Sequence, residues 1–253
     1  SICWAVTTFP GGKTSPSKTM NMTEVPAVVI ISAHSEWRAV RKEFATVPAL
    51  VGPYGEWFDT GIRNQRVVFV HGGWGKIAAA ASAQWALARW QPRLVINLGT
   101  CGGLAGQVER GAVVLATETL VYDIVEQMGD AQAAIDHYAT RMDLSWLREP
   151  YPMPVIPARL VSADRDIVAE EVGRLREQYG ALAADWESGA IAWVCNRNGA
   201  RCLILRGVSD LVSAAGGEAY GEPQVFHDGT RRVMQALLAA LPDWLACAGL
   251  SEA

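Results

Sequence analysis

Apolar and polar residues alternate along this chain in two recurring patterns. Val25 to Ser32 (VPAVVIIS), Arg66 to His71, Arg93 to Asn97 (RLVIN), Gly111 to Asp123 (GAVVLATETLVYD), Arg159 to Ala163 and Cys202 to Leu205 (CLIL) are apolar runs that read as strands. The unbroken ones have the character of strands buried on both faces. A strand from Glu56 to Arg63 precedes Arg66 to His71 across a turn at Asn64-Gln65, and Ala183 to Asp185 ends a further short strand in acids. Helical spacing marks Trp37 to Phe44, Ile77 to Trp90, Ile167 to Tyr179, Ser188 to Cys195 and Gln224 to Ala248. Val168, Val172 and Leu175 share one helix face, as do Val233, Leu237 and Leu241, and packing accounts for both sets. Strands that alternate with helices predict an α/β domain. The chain of 253 residues is long enough to bury a sizeable core as one domain, which we place at residues 25–249, and it shows no internal repeat.

In α/β sheets ligands bind at the C-terminal ends of strands, which directs attention to Ala181 to Leu211, ALAADWESGAIAWVCNRNGARCLILRGVSDL. Glu187 stands where a short strand meets a helix of small residues, and Asp210 stands where the next strand ends. Each also has a plain structural reading, a helix-dipole Glu and a turn-capping Asp. Gly99-Thr100-Cys101-Gly102-Gly103-Leu104 follows the central strand and reads as a loop whose glycines leave amides open to a ligand. Gly73-Trp74-Gly75-Lys76-Ile77-Ala78 matches the form of a dinucleotide-binding fingerprint between a strand and a helix. That motif needs an acid at the end of the next strand, and Asn97 stands there instead, so helix packing explains it better.

Composition narrows the function classes. The net charge of −4 gives no electrostatic footprint for nucleic acid or an anionic membrane surface. No apolar run is long enough to span a bilayer. The five cysteines (Cys3, Cys101, Cys195, Cys202 and Cys247) are odd in number, scattered and without zinc-site spacing, which fits free thiols in a reducing, cytoplasmic setting. No HExxH or similar metal-ligand spacing is present, and the chemistry below calls for no cofactor. Residues 1–24 differ in composition from the rest and read as a disordered extension or an expression-derived leader, without the apolar region of a signal peptide.

The run Asp185-Trp186-Glu187-Ser188-Gly189-Ala190-Ile191-Ala192-Trp193-Val194-Cys195, followed by Leu203-Ile204-Leu205-Arg206-Gly207-Val208-Ser209-Asp210, resembles the signature of the methylthioadenosine/S-adenosylhomocysteine nucleosidases. These belong to the purine nucleoside phosphorylase and uridine phosphorylase superfamily. Gly99 to Leu104, Gly73 to Lys76 and Leu160 to Asp164 (LVSAD) resemble further motifs of that family, and the likeness covers most of residues 26–245. It implies a three-layer domain with a central mixed, twisted sheet between helices, a small-molecule nucleoside substrate and a homodimer. By the same resemblance, Asp210 protonates the purine, Glu187 holds the ribose hydroxyls and Glu36, in the Ala33 to Glu36 loop, activates water. Trp186, Asp185, Ser209, Thr100, Cys101 and Gly102 line the substrate site, and Leu211 to Glu222 suits a lid over the base. Trp186 replaces the family's Met, Asp185 its usual Glu, and Arg165-Asp166 lacks its aromatic. A phosphorylase is the alternative, with Arg38 and Arg206 as phosphate ligands, and a non-catalytic nucleoside-binding protein is the second.

Overall fold

The alternation of strands and helices is realised in a computed structural model that describes residues 25–250; the leader expected at residues 1–24 lies outside them. The elements in chain order are β1 (Ala27–Ile31), α1 (His34–Glu43), β2 (Leu50–Val51), β3 (Glu56–Ile62), β4 (Gln65–His71), α2 (Lys76–Trp90), β5 (Leu94–Leu104) and β6 (Val113–Val121). They continue with α3 (Ala131–His137), β7 (Thr140–Arg141), β8 (Ile156–Ser162), α4 (Val172–Tyr179), β9 (Ala183–Asp185), α5 (Ser188–Arg197), β10 (Cys202–Ser213), β11 (Gly216–Gly217) and α6 (Pro223–Cys247).

All eleven strands join one mixed sheet, in the order β11-β10-β6-β8-β9-β5-β1-β4-β3-β2, with β7 on β6. Because β10 also pairs with β5, the strands β5, β10, β6, β8 and β9 close into a ring. The side-chain period of two explains the layers on either side. Val29 and Ile31 of β1, Ile96 and Leu98 of β5, and Leu203 and Leu205 of β10 pack with Trp37 of α1 and Met234 and Leu237 of α6. Val28, Ile30, Val95 and Ile204, one residue out of phase, pack instead with Ala83 of α2 and Ile191 of α5. A further cluster joins Leu175 and Tyr179 of α4 to Val161 and Ala184. Among the described residues, no helix is long and apolar enough to cross a membrane.

Several local expectations are revised. Gly99 to Leu104 is no loop but the second half of β5, held by parallel pairing to β10 from Arg206↔Gly99 to Val212↔Leu104. Its glycines serve close approach and not a left-handed turn: a Cβ on Gly99 would fall 2.1 Å from Nη1 of Arg206. Glu36 lies inside the first turn of α1, which starts at His34. The helix expected from Ile167 shortens to a 3-10 turn at Ala169–Glu171 followed by α4. Beyond Asp210, β10 continues to Ser213 and turns back through β11, so part of the expected lid is a small hairpin.

Candidate active site

At the C-terminal ends of β1, β5, β9 and β10 lies a cavity of about 530 Å³, a size that suits a small organic ligand. Glu36, Arg38, Thr100, Cys101, Gly102, Asp185, Trp186, Glu187, Ser209 and Asp210 all line it. These residues come from α1, β5, the junction of β9 with α5, and β10, and they share one cavity. Arg206 is different: it is fully buried behind the wall.

Arg206 organises the floor. Its Nε donates to Ser188 Oγ at 3.0 Å and lies 2.8 Å from Asp185 Oδ2. Nη2 donates to Asn97 Oδ1 at 2.8 Å and to Glu187 Oε2 at 3.4 Å, while Nη1 donates to the Thr100 carbonyl at 3.4 Å. Nη1 also stands 3.7 Å from Glu36 Oε1, so one guanidinium faces three carboxylates. Asn97, whose side chain counts against the dinucleotide motif, thus has a use of its own; its Nδ2 donates to the Ile30 carbonyl at 2.9 Å and fixes the amide.

Each carboxylate is held by a second set of donors. Glu36 Oε1 accepts from the Thr100 amide at 2.6 Å and from Thr100 Oγ1 at 2.8 Å, and Oε2 accepts from the Ala33 amide at 3.1 Å. The last bond caps the open N-terminus of α1, so this side chain both caps a helix and reaches the cavity. Asp185 accepts from the Ser188 amide and from Ser162 Oγ at 2.6 Å, which seats it at the N-terminus of α5, where a negative charge is favoured. Glu187 Oε1 accepts from the Gly75 amide at 3.0 Å. Gly75 has φ of 84°, a conformation that favours glycine, and it aims its N–H at Glu187 from the loop before α2. Burial holds the Glu187 carboxyl well above the usual carboxylate range; the Arg206 charge opposes this, and the nearby Asp185 and Glu36 charges reinforce it.

Asp210 occupies the other side. A bulge in the β10–β5 pairing between Val208 and Asp210 resets the register there, and such bulges re-aim side chains. Ser209 Oγ donates to Asp210 Oδ1 at 2.6 Å. Burial raises the Asp210 carboxyl, against the lowering effect of that hydrogen bond; Glu218 and Asp166 push it further up and Arg110 pulls it down. Cys101 is buried, and burial pushes its thiol up, which leaves it a neutral wall residue.

The cavity also contains residues that the sequence alone did not single out. Trp186 stacks on Trp74 with ring centroids 5.1 Å apart, placing an aromatic pair beside Glu187. His34, Tyr220, Phe226 and His227 also line the cavity, as do Arg165 and Asp166, and Tyr220 Oη donates to the Ile167 carbonyl at 2.8 Å. Aromatic cover near Ile167 therefore comes from the segment after β11, which offsets the missing aromatic at Arg165-Asp166. The position of Trp74 inside the glycine motif was the available signal for the stack.

This architecture has known counterparts. The chain matches the phosphorylase superfamily over residues 27–242. It belongs to that superfamily. The 5′-methylthioadenosine/S-adenosylhomocysteine nucleosidase of Actinobacillus succinogenes is 27% identical over 176 residues, 65% of this chain and 76% of that protein. The crystal structure of the Neisseria meningitidis nucleosidase of the same name, in complex with methylthio-immucillin-A, is 22% identical. It superposes with a TM-score of 0.67 and covers 90% of this chain and all of that one (100%). The Helicobacter pylori nucleosidase of that name, bound to butyl-thio-DADMe-Immucillin-A, gives a TM-score of 0.72 at 14% identity over 88% of this chain and 100% of that one. This member of the superfamily is thus similar in sequence to one nucleosidase and in fold to two others.

Proposed function

We propose that this protein is a nucleosidase that hydrolyses the N-ribosidic bond of a 5′-thio purine nucleoside, of the methylthioadenosine or S-adenosylhomocysteine class, and releases adenine. The observation that carries this reading is the charge arrangement of the site: Glu36, Asp185 and Glu187 around the single buried Arg206, with Asp210 standing apart. Breaking the bond builds positive charge on the sugar, and the leaving purine needs a proton. The logic is that of glycoside cleavage, an acid for the leaving group and a base for water.

Asp210, whose carboxyl burial shifts toward the protonated form, delivers a proton to the purine ring nitrogen N7. Glu36, oriented by both donors of Thr100, takes the proton from the attacking water. Glu187 accepts the ribose hydroxyls and, with its neighbours, favours the sugar cation. Asp185 fixes Arg206 and the start of α5, Ser209 orients Asp210, and Trp186 covers the sugar. Cys101 and Gly102 supply wall.

Phosphorolysis would require a phosphate anion close to the reacting sugar carbon. Each side of the Arg206 guanidinium already faces a carboxylate or another acceptor, so a phosphate there would meet like charges in a low-dielectric site. Arg38, exposed at the rim, leaves the phosphate-dependent alternative testable. Adenine release from methylthioadenosine should proceed at the same rate in phosphate-free buffer and in phosphate. Release that appears only with phosphate would replace the hydrolase by a phosphorylase. The same reading includes a homodimer in the cytoplasm that serves nucleoside catabolism and methionine salvage; a monomer in sedimentation would count against the dimer.

A further inference from the structure

Helix packing explains the glycines of the Gly73 to Ala78 motif, but it asks nothing of the lysine among them. Lys76 is the first residue of α2. A cation is unfavourable there, because the open amides of a helix N-terminus already carry partial positive charge. Two aspartates answer it. Lys76 Nζ donates to Asp123 Oδ1 and stands 3.7 Å from Asp164 Oδ2. The Lys76 amide donates to Asp164 Oδ1 at 2.7 Å, so a side chain from another segment caps α2. The Asp164 amide in turn donates to Asp123 Oδ2 at 3.0 Å, which closes a ring through three segments. The side chains of Lys76 and Asp123 are 20% and 17% exposed, and ion pairs so sheltered are screened by salt far less than surface pairs.

The sheet fixes both aspartates. β6 and β8 run parallel with Val121 opposite Ser162, and Asp123 and Asp164 each lie two residues further on. The Tyr122 amide continues the ladder to the Ser162 carbonyl at 3.0 Å. Ser162 Oγ donates to Asp185 Oδ1, and the Ala163 amide donates to the Asp185 carbonyl at 3.1 Å, so the same strand end also supports the floor of the site. What Lys76 fastens to this frame is the loop that serves Glu187. Gly75, immediately before it, donates its amide to Glu187 Oε1, and Trp74 stacks on Trp186. Arg206 holds the other oxygen, Oε2. A carboxylate has about four acceptor positions, so one donor on each oxygen leaves a position on each for a hydroxyl.

We propose that Lys76 is a positioning residue: through Asp123 and Asp164 it holds the Gly75 amide on Glu187, and so fixes the direction in which that carboxylate accepts the ribose hydroxyls. The inference rests on the nucleosidase reading for the role of Glu187. Without the ammonium, two carboxylates share one strand end and lose the cation between them, which loosens the loop at its root. Glu187 then keeps Arg206 but loses the donor that sets its other oxygen.

The test compares methylthioadenosine with its 2′-deoxy analogue, which offers Glu187 one hydroxyl fewer. In Lys76→Met, kcat/KM for methylthioadenosine should fall roughly tenfold or more, the scale of one hydrogen bond to a charged group. The fall for the 2′-deoxy analogue should be several times smaller, a coupling read as in a double-mutant cycle with the hydroxyl as the second site. Asp123→Ala should shift the ratio of the two rates in the same direction, and the conservative Lys76→Arg should restore most of it. Partial misfolding lowers both rates together and leaves the ratio intact. Equal losses on the two nucleosides in Lys76→Met, or no loss on either, would overturn the positioning role while the nucleosidase reading survives on native cleavage of methylthioadenosine. If the native protein leaves either nucleoside uncleaved, calorimetric affinities supply the ratio. Cleavage of neither removes the nucleosidase reading, and binding of neither removes this inference as well.

Discussion

Replacing Arg206 with methionine keeps a side chain of comparable length but removes the charge at the centre of the floor. The guanidinium is 0% exposed and faces Asp185, Glu187 and Glu36, themselves buried. Breaking a buried ion pair from one side costs about 3–5 kcal/mol, because the charges left behind lose both water and partner. For a chain of this size each kcal/mol lowers Tm by about 2–4 °C, so the expected loss is roughly 6–20 °C. Its pH dependence follows from Glu187. Burial already raises that carboxyl in the native protein while Arg206 pulls it down, so deleting Arg206 raises it further. A carboxyl whose folded value lies above its unfolded value costs stability that grows as pH rises from the unfolded to the folded value and is absent below the unfolded one, so a further rise in the folded value widens the gap at higher pH. Thermal melts of native and R206M protein at pH 5 and pH 8 should thus show the larger gap at pH 8. Adding Glu187→Gln to R206M should recover part of it, a coupling that a double-mutant cycle reads directly. An R206M protein within about 1 kcal/mol of the native one at pH 8, or a gap of equal size at both pH values, would refute the claim that this arginine compensates the carboxylates.

Two further substitutions probe the same site from other sides. Asp210→Asn should lower turnover by about 10²–10⁴-fold without lowering Tm, since a carboxyl that burial raises costs stability at pH above its unfolded value. In the native enzyme kcat/KM should decline as pH rises through the raised value of Asp210, and a fully active D210N would remove it from the proton-donor role. Gly99→Ala places a methyl 2.1 Å from Arg206 Nη1 and 2.7 Å from Glu36 Oε1, and should cost about 1–3 kcal/mol together with most of the activity. Gly173→Ala, inside α4 with nothing within 4 Å of the added carbon, should instead stabilise by about 0.5–1 kcal/mol, and equal effects at the two glycines would defeat the close-approach argument.

The contrast between those two glycines shows what could be read in the sequence. Strand and helix identity is local: the apolar runs of β1, β5 and β10 and the small-residue face of α5 are written in neighbouring positions, and so are the acids at strand ends. Whether a glycine turns the chain or admits another side chain depends on what lies opposite, and for Gly99 that is Arg206, more than a hundred residues away. The same holds for Glu36, whose placement in a loop follows from treating the residues before Trp37 as a connection. Its side chain instead closes the first turn of α1, so the helix begins at His34 and carries the carboxylate into the cavity.

Arg206 is the sharpest case, because an arginine beside an apolar run is compatible with either anion binding or ion pairing. What separates them is the census of its neighbours, and those come from distant segments: Asn97 at a separation of 109 residues and Thr100 at 106, besides Glu36, Asp185 and Glu187. Glu187 in turn takes its second donor from Gly75, 112 residues away. With three carboxylates about one guanidinium, the floor opposes an incoming anion and favours a cationic sugar.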